Sequence, residues 1–149
     1  MNGSLENTLY GVPLFAGLEE SGYALLAAGA RESKLRAGHV IIYEGEAGRH
    51  LFIIQRGTVR VYRDTQHGEV ELNVLQNGNF FGEMSILEEM PRSASVQAMT
   101  EGTLVILSRV QFELLSERHP AQFANMVTNL ARDLSFRLRR LGDEFARQH

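Results

Sequence analysis

The sequence predicts a mainly β protein flanked by helices: an antiparallel, jelly-roll-like β-roll with short N-terminal helices and one long C-terminal helix. Three observations predict it. Between Val40 and Leu75, β-branched and aromatic residues come in short runs divided by glycine, the pattern of strands joined by tight turns. The segments before and after that region space their apolar residues as helices do. No repeat or low-complexity linker divides the chain, and 149 residues with 44% hydrophobic and 22% charged residues suit one domain with a core of its own.

In the first segment, Leu5 to Ala30, the residues Leu14, Phe15, Leu18, Leu25 and Leu26 follow helical spacing, while Gly17 and Gly22 interrupt it. Short helices are expected there rather than one long one. From Lys34 the period changes. Val40 to Tyr43, Leu51 to Ile54, Thr58 to Tyr62, Val70 to Leu75, Val96 to Met99 and Leu104 to Leu107 each read as strands. The alternation of Val59 and Val61 with Arg60 and Tyr62 predicts one buried face. Gly38, Gly45, Gly48, Gly57, Gly68, Gly78 and Gly82 are placed to make the turns, and of these only Gly82 is read as needing a ligand to explain it. Many short strands with frequent turns suggest a closed roll. Ser108 is placed as an N-cap, Phe112 and Leu115 share a face, and Pro120 stops that helix. A longer helix then runs from about Ala121, with a stripe of Val127, Leu130, Leu134, Leu138, Leu141 and Phe145 at steps of three and four. The expected division is a helical segment over 1–33, a roll over 34–108 and C-terminal helices over 109–149, with no DNA-binding domain.

The net charge of −3 supplies no global positive field, which argues against direct nucleic-acid binding. The absence of cysteine excludes disulfides, thiol catalysis and cysteine metal sites. Met1 to Thr8 is polar and unlike a signal peptide, and no apolar run approaches the ~20 residues that span a bilayer. A cytoplasmic location without membrane contact is the expectation.

The stretch FGEMSILEEMPRSAS, Phe81 to Ser95, carries the chemistry. A short helical turn beginning after Gly82 would offer backbone N–H groups and a partial positive charge to an anion. Arg92 adds a planar, permanently charged fork suited to two phosphate oxygens. Ser93, Ala94 and Ser95 keep the wall narrow, and Ser93 brings a hydroxyl. Glu83 is out of place beside a phosphate unless the ligand also carries hydroxyls, as a sugar does. Phosphate and ribose together indicate a nucleotide, bound without a P-loop. In the absence of ligand, Glu83 is expected to pair with Arg92.

Two stretches resemble the cyclic nucleotide-binding domains of catabolite activator protein, protein kinase A regulatory subunits and cyclic nucleotide-gated channels. They are IIYEGEAGRHLFIIQRG, Ile41 to Gly57, and FGEMSILEEMPRSASVQA, Phe81 to Ala98. The second is similar to that family's phosphate-binding cassette, here 81–96, and the likeness extends over about residues 10 to 148. The resemblance implies that cAMP or cGMP is the ligand and that no catalytic cofactor is needed. Phe81, Gly82, Glu83, Met84, Ser85, Arg92, Ser93, Ala94 and Ser95 are then the binding residues. Glu83 matches the glutamate that holds the ribose 2′-hydroxyl, and Arg92 the arginine that pairs with the cyclic phosphate. Ser93 and Ala94 match the small residues that also touch the phosphate, and Ser85 a position limited to small residues. Where catabolite activator protein has a threonine and a serine against adenine, this chain has Arg137 and Leu138, so the base contact differs. Arg132, Leu134, Arg137 and Leu138 are the candidates for base contact or lid. The activators continue into a helix-turn-helix, whereas this sequence stops at His149.

The expected function is that of a regulatory domain that moves its C-terminal helix on binding and signals to a partner, either a second copy through that helix or an output protein. One alternative is a degenerate member acting as a protein-docking module. Another is a cupin-like metal-dependent enzyme, but His39, His50, His67, His119 and His149 lack ligand spacing. No nucleophile-and-base arrangement supports catalysis.

Overall fold

The computed structural model describes residues 2–88 and 90–148, with residues 2–4 and Ser85 described by their backbone alone. His149 lies outside the described residues. Helix α1 spans Asn2–Tyr10, a 3₁₀ turn Pro13–Phe15 and helix α2 Glu20–Ala28. Eight strands follow: β1 Arg31–Leu35, β2 Val40–Ile42, β3 His50–Arg56, β4 Thr58–Thr65, β5 Gly68–Gln76, β6 Phe80–Phe81, β7 Ser95–Ala98 and β8 Gly102–Ser108. A second 3₁₀ turn, Glu83–Ile86, sits between β6 and β7, and helices α3 Arg109–Arg118 and α4 Pro120–Gln148 complete the chain. The jelly-roll-like β-roll flanked by helices is the fold that the sequence predicts.

The strands form two four-stranded sheets with the orders β1-β8-β3-β6 and β2-β7-β4-β5, and every pairing is antiparallel. Strands β3 and β8 lie in the middle of the first sheet, and both of its faces are covered. Leu51, Ile53, Val105 and Leu107 face the helices and join Leu14, Phe15, Leu26, Phe112, Leu115, Met126 and Leu130 in one core. The intervening Phe52, Ile54, Leu104 and Ile106 face the second sheet and join Leu35, Ile42, Val59, Leu75, Phe81 and Val96 in another. Burial on both faces is why LFII and LVIL are unbroken apolar runs rather than alternating ones.

Three details depart from the sequence expectation. Strand β1, RESKL, begins three residues before the expected start of the roll. Only Leu35 of it is buried, so its hydrophobic pattern is too weak to announce a strand, and pairing with β8 makes it one. The alternation expected over Val59 to Tyr62 fails at its end, because the β4–β5 register shifts between Val61 and Tyr62. Tyr62 is thereby buried beneath the Arg60 guanidinium, which lies 4.1 Å from its ring centroid. Ser108 occupies the N-cap position of α3 but makes no side-chain capping bond.

The first turns of α4 are fixed to the N-terminal segment by side-chain amides. Gln122, itself buried, accepts the Glu19 N–H at 3.0 Å and donates to Ser21 Oγ at 3.0 Å. Asn129 donates to the carbonyls of Leu14 and Ala16, and Asn125 also donates to Ala16. The distal helix differs: Phe136, Leu138, Leu141 and Phe145 are all exposed.

Backbone packing at the β3–β4 turn is tight enough to test. A Cβ on Gly102 would collide with the Arg56 carbonyl and lie 2.7 Å from its carbon. Backbone cannot swing aside as a flexible side chain can. Gly102→Ala should therefore cost ~1–3 kcal/mol and lower the Tm by about 2–12 °C for a chain of this length, measured by calorimetry. An unchanged Tm would show that the turn yields freely.

Candidate functional site

The two sequence stretches singled out above are brought together by backbone bonds. The Arg92 N–H donates to the Glu46 carbonyl at 2.7 Å, the Gly45 N–H to the Arg92 carbonyl at 2.8 Å, and Ala47 bridges Pro91. The buried Ser95 closes the same seam, its Oγ accepting the Glu44 N–H at 2.9 Å. Ser95 thus holds the loop after β2 rather than lining a cavity.

This clamp places the Arg92 guanidinium in a slot between two glycines. A Cβ on Gly48 would lie 2.7 Å from Arg92 Cζ, and one on Gly82 would lie 2.8 Å from Nη1. Gly82 also has φ of 81°, which L side chains rarely adopt. Backbone conformation and the proximity of Arg92 therefore explain Gly82 without a ligand, contrary to the sequence reading. Arg92 Nη2 donates to the His50 carbonyl at 3.0 Å and Nη1 to the Gly82 carbonyl at 3.4 Å.

The guanidinium is half-buried, and among the described residues no carboxylate forms an ion pair with it. Burial pushes its pKa down, partly offset by Glu83 and Glu46 nearby, although an arginine stays protonated regardless. Next to it, His50 is held below the ordinary histidine range by burial and then by Arg31, Arg92 and Arg49. This corner of the protein is a cationic one.

Glu83 is engaged elsewhere. Its Oε1 accepts from Arg137 Nη1 of α4 at 2.9 Å, and Arg137 Nε lies 2.9 Å from Asp133 Oδ2. The expected Glu83–Arg92 pair is therefore replaced by a Glu83–Arg137 pair, because α4 brings a second guanidinium over the turn that follows Gly82. Arg137 also lies 5.5 Å from the Phe80 ring centroid.

A cavity of about 430 Å³ opens over these groups, within the ~300–1,000 Å³ usual for small-molecule sites. Phe81, Gly82, Glu83, Met84, Arg92, Ser93, Ala94 and Arg137 all line it. Phe81 is stacked on Phe52 with centroids 4.9 Å apart. The side chain of Ser85 lies outside the described ones. On α4, Arg132 is exposed and Leu138 is 70% exposed, while Leu134 packs against the helical core, and none of the three lines the cavity.

The sequence reading missed the floor. Ile42, Val61, Leu72, Asn73, Leu75 and Val96 line the cavity from the second sheet, with Gly48, Glu88, Met90 and Pro91 at its side. The inward period of β4 and β7 could have pointed to Val61 and Val96; nothing in the sequence marks Asn73. Among the described residues no group of three or more histidine, cysteine, aspartate or glutamate side chains could hold a metal, and no helix is long and apolar enough to cross a membrane.

The family description "Cyclic nucleotide-binding domain" matches residues 32–119, which include both β2–β3 and the whole Arg92 slot. The chain belongs to the cyclic nucleotide-binding domain family. It is 36% identical over 125 residues to the cyclic AMP receptor protein of Thermus thermophilus, covering 83% of this chain and 58% of that protein. It is 40% identical over 109 residues to a cyclic nucleotide-gated potassium channel of Rhizobium etli, covering 73% of this chain and 29% of the channel. The chain thus spans 29% to 58% of the length of these two curated relatives. Among solved structures it resembles the catabolite activator protein of Thermus thermophilus, with a TM-score of 0.74 and 36% identity over 90% of this chain and 62% of that one. It also resembles the regulatory domain of Toxoplasma gondii PKA co-crystallised with cAMP, with a TM-score of 0.70 and 29% identity over 76% of this chain and 43% of that one.

A half-buried cation held by carbonyl dipoles, with the Phe52 ring centroid 6.0 Å away, contributes little to folding, since its desolvation opposes the bonds it makes. Arg92→Met should leave the Tm of the ligand-free protein unchanged or raise it by about 2–4 °C, equivalent to up to ~1 kcal/mol. A clear fall in a thermal melt would instead make Arg92 a structural strut between His50 and Gly82.

Proposed function

We propose that this domain binds a cyclic purine nucleotide, cAMP or cGMP, in the cavity over Arg92, and that occupancy changes how α4 is held. The observation that carries the reading is the half-buried Arg92 guanidinium, kept accessible by two glycines and left without an ion pair among the described residues. An arrangement of that kind is costly unless an anion completes it. The cyclic phosphate takes that place, with Ser93 and Ala94 beside it. Glu83 accepts from the ribose 2′-hydroxyl, and Phe81 and Met84 add apolar wall. The relatives that bind or are named for cAMP support this choice of ligand. The module is regulatory: it supplies a binding site and a movable helix.

Glu83 connects the two halves of the proposal. A sugar hydroxyl arriving at this carboxylate competes with or reorients Arg137, and Arg137 is the α4 side chain that reaches the cavity. Isothermal titration tests the site. A ligand at ~100 times its Kd stabilises by about 2.7 kcal/mol, a Tm rise of roughly 5–11 °C. Arg92→Ala should weaken binding about 10- to 150-fold, the equivalent of the ~1.5–3 kcal/mol of a charged hydrogen bond. Glu83→Gln should weaken ribose nucleotides and spare a 2′-deoxy analogue. Arg137→Ala should keep binding within a few-fold but abolish any ligand-dependent change in α4 amide exchange. Binding that is indifferent to Arg92 and Glu83 would refute the assignment, and no binding by ligand-free protein would favour a docking module.

The distal part of α4 gives the output. At 29 residues the helix is ~43 Å long, and beyond Leu134 its apolar side chains Phe136, Leu138, Leu141 and Phe145 are 61–70% exposed. We infer a two-fold dimer in which the equivalent helix of a second copy covers them. Leu141→Glu should yield monomers with the roll intact by sedimentation and circular dichroism. A wild-type chain that sediments as a monomer with and without nucleotide would overturn the dimer.

A further inference from the structure

The cavity floor has an order that the phosphate and ribose residues do not explain. Ile42 pairs with Val96, Val96 with Val61, and Val61 with Asn73. These four residues form one row across all four strands of the second sheet, and all four line the cavity. Facing residues in a sheet share a side, so the row is a continuous strip: three aliphatic side chains ending in one carboxamide on the edge strand β5. Strand spacing of ~4.8 Å makes it about 14 Å from end to end. After the phosphate at Arg92 and the sugar at Glu83, the base is the part of the ligand that needs such a strip. Its faces are apolar and its edge is polar.

Asn73 is prepared for one kind of edge. Its Oδ1 accepts the N–H of Val74 at 2.9 Å, which distinguishes the oxygen end of the amide from the nitrogen end. Oδ1 retains a second lone pair, and among the described residues Nδ2 has no protein partner. The amide therefore offers an acceptor beside a donor. Adenine presents the complement, its N6 amino donor beside the N7 acceptor, whereas guanine presents two acceptors, O6 and N7. The competing polar groups are less suited. Arg137 has donors but no acceptor for the N6 amino group, and Glu88 is a carboxylate without a donor.

We propose that Asn73 is the residue of this chain that reads the base, and that its carboxamide selects adenine through N6 and N7. This deepens the reading given under Proposed function and rests on it. The test is titration of the full chain with cAMP, its 6-oxo analogue cyclic IMP and 7-deaza-cAMP. Wild-type protein should prefer cAMP over each analogue by roughly 3- to 10-fold. In Asn73→Ala both ratios should fall to about one. In Asn73→Asp the 7-deaza ratio should fall alone, because the carboxylate keeps the N6 acceptor and loses the N7 donor. Glu88→Gln should leave both ratios as in the wild type. Ratios taken within one variant are insensitive to a general loss of affinity, and Asn73 is exposed on an edge strand where substitution spares the core. Ratios unmoved by either Asn73 variant, or moved by Glu88→Gln instead, would overturn the base assignment while leaving the nucleotide site standing. A wild-type chain that binds none of the three would overturn both.

Discussion

The position of one guanidinium organises this molecule. Arg92 can occupy its slot only because residues 48 and 82 lack side chains, and because the loop after β2 is bonded to the segment that carries it. That requirement joins two stretches about forty residues apart in sequence. It also sets the electrostatics, since the half-buried guanidinium lies in a corner beside His50 and, among the described residues, forms no ion pair, although Glu83 and Glu46 are near enough to offset part of its burial. A fold selected for stability alone would neutralise such a corner or fill it with apolar side chains. The unpaired guanidinium beside an open cavity is the physical basis for the anionic ligand of the proposed function.

The two sheets make the slot affordable. Because β3 and β8 are buried on both faces, the first sheet is a rigid partition with helices on one side and the roll interior on the other. The second sheet is exposed on its outer face, and β5 has only Leu75 buried. The cavity lies against the inner face of that second sheet. Under the proposed function, rigid material holds the phosphate end through His50 and Phe52, while the base end rests on an edge hairpin, where side chains can vary without disturbing either core.

How much of this was legible in the sequence follows from how each signal arises. Strands β3, β4, β7 and β8 announce themselves because their apolar residues are also the core. Strand β1 does not, because four of its five residues stay outside the core and its partner β8 alone makes it a strand. The grouping of the cassette was legible as chemistry: Gly82, Glu83, Arg92, Ser93 and Ala94, singled out from one stretch, all line one cavity. The partner of Glu83 was not, since Arg137 comes 54 residues later and reaches the turn only through the packing of α4. Asn73 was equally silent, because its significance is a register position in a row that crosses four strands. Residues that act locally can be read from a sequence, whereas residues that act by registry need the sheet.

Under the proposed function, α4 serves two environments with different stabilities. Its first three turns are bonded to the N-terminal segment by Gln122, Asn125 and Asn129 and buried through Met126 and Leu130. Beyond Leu134 none of its described side chains joins either core, and the described contact with the cavity is the Glu83–Arg137 pair. Arg137 is partly exposed while Glu83 is largely buried, so the bond is a single partly buried one that can bias the distal helix without packing it in place. Linkage then fixes the consequence: if nucleotide shifts the helix, anything that covers Phe136, Leu138, Leu141 and Phe145 must shift nucleotide affinity by the same factor. A single pair suits a sensor for that reason. Coupling of 1–3 kcal/mol, the usual range, is of the size that rearranging one such pair can supply and small compared with the packing that keeps the helix base in place.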